Sequence, residues 1–409
     1  MSMIRKFLGA ASLATLLAFS IHVRAADQPN VTGDFAKDFT EANDDVKAKK
    51  FQDAIVKVKA IQANPKPKSA YDTFVANALL MQAYGGLGDQ ANLEAPAEVV
   101  VASDYYPAAQ KPTLYRSLAS INFQEKNYDK AIEFTNKTIA LGDNSEDISQ
   151  MLASAYYLSN KYKEALAVWQ DLVSKAEAAG KKPDEKTLKL IWQTALNLKD
   201  EPTQAKVIDK LVADYPKPEY WQNAMVSLKT SDVHDDRLLL SIYRLKSEVG
   251  VLTQGDEYSE MAQIALDQAN PGLAQSTMEI AIGKKVFTDP RDQDRAQRLL
   301  DLAKKQSIAA RASLAKEETD AASAPTGEVL VNIGATYLGF GMNDKAVSVI
   351  SAGIAKGSLK RPNEDYLLLG IAEARMKNNA EAARAFGKVS GDPKYVRLAK
   401  LWELATHTG

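Results

Sequence analysis

The chain has 409 residues, no cysteine, and 51 basic against 52 acidic side chains, for a net charge of −1. The missing thiols exclude disulfides, thiol catalysis and cysteine metal sites, so stability must come from apolar burial, which a chain of this length can supply. The balanced charge gives no reason to expect a nucleic acid or an anionic membrane as partner.

Arg5 and Lys6 precede an apolar run from Phe7 to Ile21, followed by Val23-Arg24-Ala25. A basic start, a short apolar core and compact residues before a cut predict a signal peptide over residues 1–25, cleaved after Ala25. The apolar run is shorter than the roughly 20 residues of a spanning helix, which argues against an uncleaved anchor. The expected address is the periplasm of a Gram-negative bacterium.

Residues 26–220 read as an array of helix pairs. Phe51-Gln-Asp-Ala54 starts a second helix whose first helix is short or degenerate. Ala78 to Tyr84, then Gly-Gly-Leu-Gly-Asp89, reads as a first helix and its turn. Two later stretches match at an offset of 34: Leu118 with Leu152, Ala119 with Ala153, Asn127-Tyr128 with Lys161-Tyr162, and Ala131 with Ala165. The small residues let helices approach closely, and Leu118, Leu152, Tyr128, Tyr162, Phe134 and Trp169 fill the remaining space. Lys126-Asn127 and Asn160-Lys161 supply the tight reversals. An insertion at Ala178 to Asp184 follows, and the next small residue is expected at Ala205, 40 positions after Ala165.

Residues 221–289 hold divergent helical repeats, with an apolar stripe of Leu238, Leu239, Ile242 and Leu245, and a clearer unit at Met261-Ala262, Ala265 and Ala274. Residues 290–326 form a long charged helix and loop. Asp289 is its N-cap, Pro290 its first residue, and Ala296, Leu299, Leu300, Ala303 and Ile308 its apolar side. A brace and a hinge both fit it. Residues 327–409 contain a pair of repeats, at Gly334, Tyr337, Gly341 and Ala346 and at Leu369-Gly370, Asn378-Asn379 and Ala382. A capping helix from Pro393 to Leu404 ends the chain.

The repeats resemble the tetratricopeptide repeat (TPR) family, whose period is 34 residues. The stretches Tyr215-Pro-Lys-Pro-Glu-Tyr-Trp221, Ile242-Tyr-Arg-Leu245 and Asn270-Pro-Gly-Leu-Ala274 are similar to exported bacterial proteins built almost wholly of such repeats, most without an assigned function. The resemblance implies an all-α, right-handed superhelical solenoid of antiparallel helix pairs. In the family, the concave face is lined by the first helix of each pair, through its second, fifth, ninth and twelfth positions. Here those are Thr113, Arg116, Ser120 and Phe123; Asp147, Gln150, Ser154 and Tyr157; and Thr187, Leu190, Thr194 and Asn197. The candidate partner-binding set is Arg116, Ser120, Phe123, Asp147, Gln150, Tyr157, Thr194 and Asn197. Arg116, Phe123 and Tyr157 are its expected energetic centres, although Phe123 and Tyr157 could instead pack between repeats. Ser120 stands where the family's carboxylate clamp has asparagine.

Little in the sequence suggests catalysis. Beside His22 and His407 there is only His234, flanked by Asp232, Asp235 and Asp236. Such a group could hold a metal, but an acidic turn capping the next helix is the plainer account. No Gly-x-Ser-x-Gly elbow exists, and Gly85-Gly86-Leu87-Gly88 lacks the Lys-Ser or Lys-Thr of a phosphate loop. The expected function is a non-enzymatic periplasmic scaffold or adaptor with no cofactor. Its partner would be a protein or peptide, for example in an envelope assembly or transport complex. The alternative is a soluble periplasmic binding protein for a small ligand or cell-wall fragment. Self-association is left open.

Overall fold

Twelve helix ends among the described residues share one backbone conformation, and the eight that leave only two or three residues before the next helix set the fold. Each of the eight has a residue in the left-handed region: Lys49, Gly88, Lys126, Asn160, Lys199, Ala269, Gly341 and Lys377. In each, the next amide bonds back to the carbonyl five residues earlier, as in Asn127 to Asn122 and Lys161 to Tyr156, both 2.8 Å. This satisfies carbonyls that a helix end leaves open. Six of the eight residues carry a side chain, at a cost of about 1 kcal/mol each.

The computed structural model describes residues 29–228 and 235–408. The expected signal peptide, and Asp232 and His234, lie outside them. The described residues are all-α, with twenty α-helices, and they divide into two compact units between Glu201 and Pro202.

In the first unit, α1 (Ala36–Lys47) pairs with α2 (Phe51–Ala63), α3 (Ala70–Leu87) with α4 (Gln90–Ala102), α5 (Lys111–Gln124) with α6 (Tyr128–Ala140), and α7 (Glu146–Leu158) with α8 (Tyr162–Ala178). Each second helix packs on the next first helix, ending with α8 on α9 (Glu185–Leu198). A pair buries its remaining apolar face only by stacking in this way.

The register of small residues is regular in both units. Seven positions before the left-handed residue stand Ala42, Ala119, Ala153, Ala262, Gly334 or Gly370. Five positions after it stand Ala54, Ala131, Ala165, Ala274, Ala346 or Ala382. All twelve are buried. A Cβ at Gly334 would sit 2.4 Å from Ile350 Cγ1, and one at Gly370 2.3 Å from the Phe386 ring. Two reversals depart from this register: at Gly88 the positions hold Met81 and Leu93, with Gly85 making room for Leu93, and at Lys199 they hold Trp192 and Gln204.

Four expectations need correction. The first helix before Phe51 is not degenerate: α1 is a regular helix, hard to see because Phe39 and Ala42 are its only buried apolar residues. Gly85 and Gly86 do not form the turn; α3 runs through them, Gly86 admits the Phe51 ring, and the reversal is at Gly88. Ala205 is exposed: counted from the left-handed residue Lys199, the register's second position falls on Gln204 instead. Ile308 is 73% exposed rather than on the apolar side of its helix.

The second unit contains α10 (Glu201–Asp214), α11 (Pro218–Met225), α12 (Asp236–Glu248), the pair α13 (Gly255–Asp267) and α14 (Pro271–Gly283), α15 (Pro290–Ala322), the pairs α16 (Glu328–Gly339) with α17 (Asn343–Lys356) and α18 (Pro362–Arg375) with α19 (Asn379–Phe386), and α20 (Pro393–Thr408). The 33-residue α15 packs along α13, α14 and α16, which is the geometry of a brace. The unit returns on itself. Helix α20 packs on α18 and α19 but also on α12. Arg397 and Lys400 of α20 pair with Asp209 of α10 at 2.6 and 2.7 Å. Arg237 and Glu248 of α12 pair with Glu364 and Arg375 of α18, at 3.1 and 3.0 Å. Enclosed in this way, α12 has eight consecutive buried residues, Leu238 to Leu245.

Candidate functional site

The first helices α5, α7 and α9 carry the residues that the repeat register assigns to a partner face. Their backbone phase places these positions, and bonds between successive first helices fix the side chains. Arg116 of α5 donates to Asp143 at 3.2 Å and forms an ion pair with Asp147 of α7. Gln150 of α7 donates to Thr187 of α9 at 2.9 Å. The Tyr157 hydroxyl of α7 accepts from Asn197 of α9 at 3.2 Å. Three cross-links thus tie the face together.

Asp143 is a member of this site that the repeat positions do not include, because it lies in the loop before α7. The Ser145 hydroxyl holds its carboxyl below the usual range, opposed by burial and aided by the Ser145 amide and Arg116. The result is an anionic anchor that keeps Arg116 extended across the face.

The eight candidate residues divide by exposure. Asp147 and Asn197 are exposed, and Arg116, Ser120 and Tyr157 are partly so. Phe123, Gln150 and Thr194 are buried. Phe123 packs edge-on against Tyr128, with ring centres 5.6 Å apart. Gln150 accepts from the Trp169 indole N–H at 3.1 Å, and the Thr194 hydroxyl donates to the Leu190 carbonyl at 2.6 Å. Ser120 donates to the Arg116 carbonyl within its own helix. Tyr157 does both jobs: its ring rests on Tyr162 and Trp169 while its hydroxyl reaches Asn197. The exposed part is therefore a polar ridge of Arg116, Asp147, Tyr157 and Asn197, backed by a packed layer.

Among the described residues, no group of three or more histidine, aspartate or glutamate side chains is placed to hold a metal ion. No described helix is long and apolar enough to cross a membrane.

No family model matches the chain, and no curated protein does. Solved structures with similar helix arrangements include a tetratricopeptide repeat protein from Parabacteroides merdae, 13% identical over 81% of this chain and 98% of that one, with a TM-score of 0.29. Another is the TPR2AB domain of yeast Sti1 in its pHSP90 complex, 14% identical over 69% of this chain and 90% of that one, TM-score 0.25. A third is Naa15/Naa10 bound to HypK-THB, 11% identical over 88% of this chain and 68% of that one, TM-score 0.27. These likenesses concern the fold alone. By its helix pairs and their repeated turn the fold is TPR-like, and no binding residue is carried over from those proteins.

Proposed function

We propose that the chain is a non-enzymatic periplasmic scaffold or adaptor that holds a segment of a partner protein along α5, α7 and α9. The observation that carries this reading is the polar ridge, whose Arg116–Asp147 and Tyr157–Asn197 pairs are fixed before any partner arrives. A pre-ordered surface loses less side-chain freedom on binding, and arginine and tyrosine are the residue types that most often dominate such surfaces. The ridge offers both charges and an aromatic edge, which suits an extended polar segment. The periplasmic address is supported by the basic start, the apolar run and Val23-Arg24-Ala25.

The test uses the chain from Ala26 onward as bait in periplasmic extract, with cross-linking and mass spectrometry. The ridge variant combines Arg116→Ala, Asp147→Ala and Asn197→Ala. The control is Val56→Ser, at an exposed position on α2. A partner cross-linked to α5, α7 or α9, kept by the control and lost by the ridge variant, is the expected result. Retention by the ridge variant rejects this face, and a wild-type bait without a partner rejects the scaffold reading. Fractionation of cells making the full chain should recover a soluble periplasmic protein beginning at Ala26; recovery in the membrane or cytoplasm rejects the address.

A further inference from the structure

Arg244 is a buried cation without a local counter-charge. It sits on the enclosed helix α12 with 6% of its surface exposed. Its side chain has no hydrogen-bond or ion-pair partner among the described residues. The carboxylate that acts on it electrostatically is Glu364, whose two oxygens are already taken by Arg237 at 3.1 Å and Arg361 at 2.8 Å. Burial, and next the charge of Arg375, push the Arg244 guanidinium down to about 10, with Glu364 opposing. It remains charged at neutral pH. A buried charge left unpaired costs several kcal/mol, so proteins keep one only where something compensates it.

Arg244 faces a cavity of about 320 Å³ within the second unit. Arg311 of α15 and Arg375 of α18 line the same cavity. Arg375 is paired with Glu248 at 3.0 Å. Arg311 lies over the Phe340 ring, 4.5 Å from its centre, and has no carboxylate partner among the described residues. The one acidic residue in the wall, Glu279, pairs with Lys304 at 3.7 Å. The cavity therefore carries about two uncompensated positive charges, on Arg244 and Arg311. Its remaining wall includes Met261, Leu273 and Phe340.

We infer that this cavity binds a small phosphate monoester, with its phosphoryl group on the arginines and its organic part against Met261, Leu273 and Phe340. A carboxylate would balance one of the two charges. A phosphate monoester brings nearly two at neutral pH, with three acceptor oxygens that match the guanidinium fork. The cavity is far roomier than a phosphate ion needs, so the apolar wall is left for the ester group. Nothing in this inference depends on the ridge of α5, α7 and α9.

The test is calorimetry and thermal melting on the mature chain at constant ionic strength set with sodium chloride. The probes are phenyl phosphate, inorganic phosphate and acetate. Phenyl phosphate should bind saturably and about tenfold more tightly than inorganic phosphate, the worth of one small apolar contact. Acetate should do no more than chloride. Arg244→Met should abolish phosphate binding and raise the melting temperature of the free protein, because it removes an unpaired buried charge. Arg311→Ala, at an exposed position, should weaken phenyl phosphate binding several-fold and serves if Arg244→Met does not fold. A wild type blind to phenyl phosphate, equal binding by either variant, or acetate as effective as phosphate would overturn the inference. Equal affinity for inorganic and phenyl phosphate would overturn the ester group's place and leave a site for the free ion only.

Discussion

Gln150 and Thr187 meet at 2.9 Å across α7 and α9, and the same Gln150 amide accepts the Trp169 indole N–H at 3.1 Å. One side chain thus joins three helices, so its main effect should be on stability. Gln150→Leu keeps the bulk but leaves the buried Trp169 donor unpaired. Urea unfolding should show a loss of about 1–3 kcal/mol with little change in slope. A variant as stable as the wild type would show that the amide is free to serve a partner instead.

The Gly334–Ile350 approach is a second joint that geometry makes testable. A Cβ at Gly334 would sit 2.4 Å from Ile350 Cγ1. Gly334→Ala gains helix propensity but must push two helices apart, for a net loss of about 1–3 kcal/mol. Ile350→Ala removes the clashing atom, so it should cost less in the Gly334→Ala background than alone. Additive costs would mean that the two residues are not in contact.

The reach of the sequence is clear from these joints. Gly334, Gly370 and the alanines around Lys126 and Asn160 are local, periodic signals, so the helix pairs and their turns were legible from spacing. The positions of Arg116, Asp147, Tyr157 and Asn197 on the first helices follow from the same register. That Phe123 and Gln150 are buried does not, because their cover comes from neighbouring helices: the second helix of the same pair for Phe123, and α8 and α9 for Gln150. The return of α20 and α18 onto α10 and α12 left no pattern at all. Its contacts are ion pairs such as Arg237–Glu364, 127 residues apart. For the same reason nothing in the sequence marks Arg244, which lies on a helix enclosed on several sides.

Asp365 should make the second unit sensitive to pH. Burial is the chief cause that raises its carboxyl to about 7, followed by the charges of Glu328 and Glu364, against the opposing Arg361 and Arg237. Its Oδ2 has no hydrogen-bond partner. The folded state therefore holds this proton more tightly than the unfolded chain does. The stability this contributes is full below pH about 4, falls as pH rises toward 7, and is gone above that. Asp365→Asn mimics the protonated form. It should leave stability almost unchanged at pH 4, raise it by about 3–4 kcal/mol at pH 8, and flatten the slope between. Equal effects at both pH values, read by urea unfolding, would show that Asp365 is ionised throughout.

Asp209 tests whether α20 only covers the end of α19 or closes the second unit. Its carboxylate is buried and meets Arg397 at 2.6 Å and Lys400 at 2.7 Å. Arg397 also donates to the Ala224 carbonyl at 3.2 Å, so it is held between α10, α11 and its own helix. Asp209→Ala removes the buried carboxylate that Arg397 and Lys400 share, a change that costs about 3–5 kcal/mol when such a pair is broken on one side. The loss should appear locally, as faster proteolysis in the segment between α19 and α20. Lys400→Ala removes only an exposed partner and should cost under about 1 kcal/mol. If Asp209→Ala were equally mild and proteolysis unchanged, α20 would be held by its apolar contacts alone, and the ion pairs to α10 would not be what closes the unit.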